Sequence, residues 1–224
     1  MDKVEALQQL EAEMAADKSL PLKTNLVFGE GNIDCDVMFI GEAPGANEDI
    51  QKRPFVGRGG QLLDECIQSI GWKREDVYIT NIVKRRPPDN RDPLPEEILA
   101  YKPYLKRQIQ IINPKIIVPL GRFAMNYFLP EAKITRDQGR AFPLLGKLIV
   151  PILHPAAALR APEMMKMFRE SFKNLPKIVS GGSTALITSD LVPEFPTSAA
   201  SITLPDARPT GKNKLKKPGA KPLL

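Results

Sequence analysis

The spacing of apolar residues changes twice along the chain, and each change predicts a different kind of structure. Near the N-terminus, Val4, Leu7, Leu10 and Met14 recur at the period of a helix. This spacing predicts an amphipathic helix over residues 2–16 that packs on the main body, in preference to a helix that binds a partner. From Asn25 onward, short apolar runs alternate with helical patterns, beginning with the predicted strands NLVFGEG and CDVMFIG and the helical segment GGQLLDECIQSIG.

The same alternation continues to about residue 175. A strand is predicted over residues 76–84, a Pro-rich loop follows, and the later elements are a helix at 96–112, a strand at 115–121, a short helix at 123–128, the strand KLIVPIL and a helix at 162–175. Parallel strands covered by helices on both faces account for such an alternation. We therefore predict a three-layer α/β/α sandwich with a central, mostly parallel four-stranded sheet.

The periodic pattern ends near residue 180, which predicts one domain over residues 1–179 and a disordered tail over residues 180–224. The tail is rich in Ser, Thr, Pro and Gly, and its closing stretch ARPTGKNKLKKPGAKPLL carries basic residues without an acidic one. That composition is typical of segments without a packed core. Attraction to phosphate and simple solvation explain the basic residues equally well.

Composition and charge narrow the class of protein. Lys and Arg outnumber Asp and Glu by 32 to 26, and the sequence pI of about 9.3 favours an anionic partner such as nucleic acid. The two cysteines, Cys35 and Cys66, match neither a disulfide scaffold nor a metal site, which favours the cytoplasm. A charged N-terminus and the lack of an apolar run of about 20 residues argue against secretion and membrane insertion.

Candidate chemistry lies in the loops that follow the predicted strands, because open α/β sheets bind ligands at the carboxyl ends of their strands. The first loop, GEAPGANED, provides small residues for close backbone approach and carboxylates at the strand end. Its carboxylates disfavour a phosphate cradle, and an ordinary turn with acidic helix caps is the alternative. The residues of interest are Gly41, Glu42, Ala43, Gly45 and Glu48.

The second and third loops add an aromatic ring, an amide and cations. Phe55 lies in the Gly-rich stretch RPFVGRGGQLL, either as a core residue or as a platform for a flat ring. Asn81 interrupts an apolar strand, where its amide either satisfies nearby backbone or binds a ligand. The loop that follows carries Asn90 and four cations, which either contact a phosphate backbone or are solvated: Lys84, Arg85, Arg86 and Arg91.

The fourth loop, HPAAALR, holds the one histidine of the chain, His154, directly after a predicted strand. A lone histidine is more often structural than catalytic, but the strand-end position favours a functional role.

Taken in order, GEAPGANED, RPFVGRGGQLLD, YITNIVK, RPPDNRDPLPEE, KIIVPLGRFA and HPAAALR resemble the motifs of the uracil-DNA glycosylase superfamily. The branch most similar is family 4, and the resemblance covers residues 25–175. It implies a monomeric DNA repair enzyme that acts on uracil-containing single- or double-stranded DNA. The enzyme would hydrolyse the bond between uracil and deoxyribose without cutting the backbone. The alternatives are a catalytically weak DNA-binding relative and, less favoured, a nucleoside hydrolase.

The resemblance also implies roles for individual residues. His154 would donate a hydrogen bond to uracil O2, the Asn81 amide would pair with O4 and N3–H, and Phe55 would stack on the extruded base. The resemblance supports Glu42 and Glu48 for positioning the attacking water, and Asn90 is a further candidate from its place in the loop. Leu159 and Arg160 would act as wedge and phosphate clamp. The sequence does not decide which wall excludes the methyl group of thymine, for which the stretch around Ala46 and Asn47 is a candidate.

One departure from the family concerns its cofactor. Family 4 enzymes resemble one another in four cysteines that hold an iron–sulfur cluster, whereas this sequence carries Met14, Asp17, Arg85 and Tyr101 at the corresponding positions. We therefore expect no cofactor and no metal, with apolar or ionic packing in place of the cluster. A second branch of the superfamily captures uracil through a histidine in the loop after Asn81. The corresponding loop here, KRRPPDNRDP, contains none, which disfavours covalent capture.

Overall fold

Six strands form one mixed sheet in a computed structural model of the chain, which describes residues 2–181. The strands are β1 (Glu30–Gly31), β2 (Val37–Gly41), β3 (Tyr78–Asn81), β4 (Ile116–Pro119), β5 (Phe142–Leu144) and β6 (Lys147–Ile149), and their order across the sheet is β1-β3-β2-β4-β6-β5. The four central strands are parallel and lie within the predicted strands CDVMFIG, 76–84, 115–121 and KLIVPIL. The two edge strands are antiparallel and extend the predicted sheet from four to six strands.

Helices cover both faces of the sheet, which confirms the predicted three-layer fold class. They are α1 (Lys3–Ala16), α2 (Ala46–Gln51), α3 (Arg58–Ser69), α4 (Pro95–Ile112), α5 (Arg122–Phe128), α6 (Ile134–Asp137), α7 (Pro155–Ala158) and α8 (Pro162–Val179). Successive residues of a strand point to opposite faces. Accordingly, Met38 and Ile40 of β2 pack into a core with α1, α4 and α5, whereas Val37 and Phe39 pack into a second core with α3 and α8.

The N-terminal helix is confirmed within one residue of its predicted ends. A reciprocal cap begins it, in which the Asp2 carboxylate accepts a hydrogen bond from the Glu5 backbone N–H at 2.8 Å and the Glu5 side chain accepts from the Asp2 N–H. Leu7, Leu10 and Met14 are buried and attach the helix to the first core.

One prediction about local structure is wrong, and several short elements were not predicted. Residues 25–31 were predicted as a strand, but only Glu30 and Gly31 form one, and Val27 instead donates a backbone hydrogen bond to the Lys84 carbonyl at 2.8 Å. The sequence pattern also missed α2, α6, α7 and β5. These elements span three to six residues, too few to show a periodic pattern.

Within residues 2–181, no helix is long and apolar enough to cross a membrane. The predicted tail, apart from Ser180 and Gly181, lies outside the described residues.

Candidate active site

A pocket of about 570 Å³ opens at the carboxyl ends of the central strands. Parallel register brings those ends together: Gly41 at the end of β2 is the partner of Asn81 at the end of β3, and Leu120 after β4 pairs with Ile152 after β6. The loops that follow all four strands therefore surround one cavity. Its walls include eight residues named from the sequence as catalytic or substrate-binding candidates: Glu42, Ala43, Gly45, Glu48, Phe55, Asn81, Asn90 and His154.

Asn81 presents an unsatisfied polar atom in this pocket. Its side chain is only 2% exposed, and within the described part of the chain its Oδ1 has no hydrogen-bond partner. Buried polar atoms are nearly always paired, and leaving one unpaired costs about 1–3 kcal/mol. The position of Asn81 in the wall of the pocket suggests that a bound molecule supplies the missing donor.

Gly41 allows Asn81 and Phe55 to approach one another. A Cβ atom at position 41 would lie 2.4 Å from Asn81 Oδ1 and 2.4 Å from Phe55 Cζ, closer than real Cβ contacts. The absence of a side chain thus brings an aromatic ring and an amide to the same end of the pocket.

The Phe55 backbone adopts the left-handed conformation, with φ of 52°. For a residue other than glycine, this costs on the order of 1–3 kcal/mol and persists only where the surroundings hold it. Two side chains do so. The Glu48 Oε1 atom accepts the Val56 and Gly57 N–H groups at 2.9 and 2.8 Å. The Arg74 guanidinium donates to the Pro54 carbonyl at 2.6 Å.

Glu48 also accepts the Gly45 N–H through Oε2 at 3.1 Å. Its carboxylate therefore joins the loop after β2 to the loop that carries Phe55. The ring of Phe55 faces His154, with 5.8 Å between the ring centroids and 35° between the ring planes.

His154 begins the short helix α7. Its Nδ1 atom accepts the Ala156 N–H at 3.2 Å, so Nδ1 carries a lone pair and the proton of the neutral ring lies on Nε2. On its other side the histidine packs against Gly121, whose φ is 86°. A Cβ atom at that position would lie 2.8 Å from the Cβ of His154. Gly121 is thus required both for its backbone conformation and for the position of the imidazole.

Asn90 reaches the pocket from the Pro-rich loop. Its backbone is left-handed, with φ of 52°, and its Oδ1 accepts a hydrogen bond from Arg86 Nε at 2.7 Å. Arg86 therefore supports the position of a pocket residue. Gly41 precedes the pocket residue Glu42 but does not itself line the pocket. Leu159 likewise precedes the pocket residue Arg160, and it is 41% exposed.

The prediction that Lys84 contacts phosphate is wrong, because its side chain is fully buried. The Lys84 Nζ atom donates to Thr80 Oγ1 at 2.5 Å and to Gln108 Oε1 at 2.6 Å. Burial holds the pKa of the Lys84 amine well below its ordinary value. The lysine therefore joins β3 to α4 inside the first core.

Two more cations of that loop are engaged within the protein. Arg85 donates to the Thr24 carbonyl, and Arg91 forms an ion pair with Glu97, whose side chain is 4% exposed. Both are partly buried, so as placed they do not support the predicted role as phosphate ligands.

Sequence reasoning missed two arginines at the pocket. Arg58 is the first residue of α3 and Arg122 is the first residue of α5, and both line the cavity together with Arg160. A shared signal was present in the sequence, since each of the two follows a glycine at the start of a helix.

The positions that hold the iron–sulfur cluster in family 4 carry apolar, aromatic and charged side chains in this protein. Met14 and Tyr101 are fully buried in the first core, and Tyr101 interacts electrostatically with Arg85 and Asp17. The Asp17 carboxylate accepts a hydrogen bond from Tyr104 at 2.6 Å. These residues do not fit a cluster, which needs thiolate ligands.

The two cysteines cannot replace those ligands. Cys35 lies in the first core and Cys66 in the second, on opposite sides of the sheet. Burial raises the pKa of the Cys35 thiol to about 11 and also raises that of Cys66, which disfavours the thiolate form. Over residues 2–181, no group of three or more His, Cys, Asp or Glu side chains is arranged to hold a metal ion.

Comparisons with known proteins cover the whole region of the pocket. A family model described as the uracil DNA glycosylase superfamily matches residues 28–176. The Type-4 uracil-DNA glycosylase of Sulfurisphaera tokodaii is 43% identical over 188 residues, which cover 78% of this chain and 86% of that protein. The protein of the same description from Archaeoglobus fulgidus is 41% identical over 187 residues, or 78% and 94% of the two chains. That from Thermotoga maritima is 49% identical over 141 residues, or 62% and 73%.

Proposed function

Because this chain belongs to the uracil-DNA glycosylase superfamily, as its motifs predicted, we propose that it removes uracil from DNA by hydrolysing the N-glycosidic bond. The observation that carries the proposal is the unpaired Oδ1 of Asn81 in the pocket wall. An extruded uracil would place its N3–H on that atom, and its O4 would accept from the amide N–H. Cytosine presents the opposite donor and acceptor pattern and would leave both groups unpaired.

Phe55 would provide the surface on which the base stacks. Aromatic stacking on a nucleobase contributes about 1–3 kcal/mol. The Glu48 and Arg74 hydrogen bonds to the loop hold the ring in place before the substrate binds. Binding therefore does not have to supply the free energy needed to order the loop. Phe55 and Asn81 would then read the face and the edge of the same base.

His154 would assist the departure of the base. As the bond between C1′ and N1 breaks, negative charge develops on uracil and positive charge on the sugar. A neutral imidazole with its proton on Nε2 can donate to O2 of the departing base, and the Ala156 N–H holds the opposite nitrogen in place.

Glu42 is the carboxylate that we propose positions the attacking water. Both oxygens of Glu48 accept backbone N–H groups, which assigns that side chain to the support of the Phe55 loop. Glu42 lies at the end of β2 and lines the same pocket, as does Asn90. A carboxylate there would also favour the cationic sugar.

Variants of the two glutamates separate these roles. Glu42→Gln keeps the shape but removes the base, so single-turnover uracil release should fall by about 10²-fold or more. Glu48→Gln keeps a carbonyl oxygen for the Val56 and Gly57 N–H groups, so its rate of uracil release should fall much less. Glu48→Ala removes all three acceptor contacts and should lower the thermal midpoint as well. If Glu48→Gln is as slow as Glu42→Gln, the water is positioned by Glu48 instead.

We further propose that the protein works without an iron–sulfur cluster or a metal. The support is that the family's ligand positions hold Met14, Asp17, Arg85 and Tyr101, none of which supplies a thiolate, together with the separation of the two cysteines. The contacts among these side chains would join α1, α4 and the loop after β3 in its place.

One experiment tests the reaction and the cofactor proposal on the same sample. The purified full chain, with its iron content measured, is incubated in EDTA with an oligonucleotide that contains a single uracil, and alkali then cleaves any abasic site. We expect cleavage at that position, none at cytosine or thymine, and iron well below one atom per chain. DNA binding without cleavage would favour the DNA-binding relative, and release from free deoxyuridine alone would favour a nucleoside hydrolase.

We also propose that the protein acts as a monomer in the cytoplasm. Both cysteines are free and buried, which is typical of a reducing compartment. Light scattering at micromolar concentration and fractionation of the source cells would measure the two properties. A dimer mass, or recovery with the membrane fraction, would contradict them.

A further inference from the structure

Three of the four cations in the loop predicted to bind DNA are buried or bonded to other parts of the protein. Lys84 is buried, Arg85 is bonded to the Thr24 carbonyl, and Arg91 is paired with Glu97. A DNA-binding enzyme nevertheless needs cations against phosphate, because this attraction supplies much of its affinity. Arg86, the fourth predicted cation, donates to the Asn90 side chain at the pocket. We therefore expect further cations elsewhere on the surface to contact the strand around the target nucleotide.

Three arginines line the pocket, each on a different segment. Arg58 begins α3, Arg122 begins α5, and Arg160 follows α7. All three line the pocket that holds Asn81 and His154. We call them the arginine rim.

The guanidinium groups of the rim are available to a ligand. Arg58 and Arg160 are exposed, and neither forms an ion pair or a side-chain hydrogen bond with another residue in the 2–181 range. Among residues 2–181, Arg122 forms a long ion pair with Asp92, at 3.5 Å, and its guanidinium carbon lies 5.0 Å from the centroid of the Phe123 ring. The ring contact orients Arg122, and a phosphate would compete with Asp92 for its guanidinium group.

The pocket carries charges of both signs, because Glu42 and Glu48 line it together with the three arginines. The arginines can bind the phosphates of an inserted nucleotide, which the carboxylates would repel. Arginine suits this task because its planar group can contact two phosphate oxygens at once.

We propose that Arg58 and Arg122 join Arg160, the clamp that the family resemblance implies, in binding the phosphates that flank the extruded nucleotide. The inference rests on the proposed function for the nature of the target, but its test does not require the reaction. DNA with a tetrahydrofuran abasic analogue has no glycosidic bond, so its affinity can be measured whether or not the protein removes uracil.

The experiment measures the dissociation constant for a short single-stranded oligonucleotide containing the analogue, by fluorescence anisotropy, from about 50 to about 200 mM salt. Each lost phosphate contact should reduce the slope of log affinity against log salt by about 0.7. The full-length chain is compared with Arg58→Gln, Arg160→Gln, the double variant and Arg122→Gln. At about 50 mM salt the affinity should fall roughly five- to tenfold per arginine.

Two controls separate the rim from a general loss of charge. Lys115→Gln removes a cation just before β4, at the opposite end of the strand from the pocket, and should leave the slope unchanged. Arg58→Lys keeps the charge and should retain the slope. Circular dichroism melts confirm that each variant is folded.

The outcomes distinguish this inference from the proposed function. If the unmodified protein releases uracil but the rim variants keep its slope of log affinity against log salt, the proposed phosphate contacts are wrong. The proposed function would then remain intact. Reduced slopes in a chain that releases no uracil support the rim as a DNA-binding site and overturn the proposed reaction. A slope reduced equally by Lys115→Gln also overturns the rim, because the effect would then be one of net charge.

Discussion

Replacing His154 with alanine should lower the single-turnover rate of uracil release by about 10²- to 10³-fold, the usual effect of losing one donor to developing negative charge. The side chain also has a structural contact, however. Nδ1 caps α7 through the Ala156 N–H, whereas the proposed function assigns the Nε2 proton to the departing base. Alanine removes both, so the alanine variant alone does not separate catalysis from local structure.

His154→Asn is the matched control for this prediction. Asparagine is a good helix cap, because its side-chain oxygen accepts backbone N–H groups at the start of a helix. It would keep the contact to Ala156 but would not reach the base. We expect the asparagine variant to melt close to the unmodified protein and to be nearly as slow as the alanine variant. Uracil release within threefold of the unmodified rate would show that the Nε2 proton has no such role.

Replacing Asn81 with leucine should lower uracil release by about 10²- to 10⁴-fold, because two hydrogen bonds to the base are lost at about 1–3 kcal/mol each. Leucine has nearly the same shape, so Phe55 and Gly41 keep their neighbour. The unpaired Oδ1 of Asn81 destabilises the empty protein, and its removal should leave the thermal midpoint unchanged or raise it.

That opposite behaviour of activity and stability is the diagnostic result. A residue needed only for packing would lower both quantities together when it is replaced. The measurement pairs a melting curve with rates on uracil and cytosine in the same oligonucleotide context. The preference for uracil should shrink in the variant. If the leucine variant melts well below the unmodified protein and keeps its base preference, Asn81 is a structural residue and the pocket reads uracil in another way.

The pocket shows why a strand-end argument succeeds from sequence alone. The run VMFIG is apolar throughout, so it forms a strand buried on both faces, and the residues after it lie at the sheet edge. The same reasoning placed Asn81 and His154 beside it, because parallel strands present their carboxyl ends together. Glu42, Phe55, Asn81 and His154 were all predicted in this way, and the structure brings them into one cavity.

The basic loop shows where the same reasoning fails. Its charge was visible in the sequence, but the partners of Lys84 lie at Thr80 and Gln108, and the latter belongs to a helix 24 residues away. Arg85 meets Thr24 across 61 residues of chain. Whether a cation is free or engaged depends on such distant groups, and no local pattern contains them.

Sequence by itself determined the four parallel central strands, the longer helices between them, the candidate loops at the strand ends and the family. These properties depend on apolar periodicity and on motifs, which are local and survive any change of distant residues. Only the tertiary structure decided that Glu48 supports the Phe55 loop, that Lys84 is buried, and that Arg58 and Arg122 join Arg160 at the pocket. Hydrogen bonding and burial depend on contacts between segments that are distant in sequence, and only the folded chain brings those segments together.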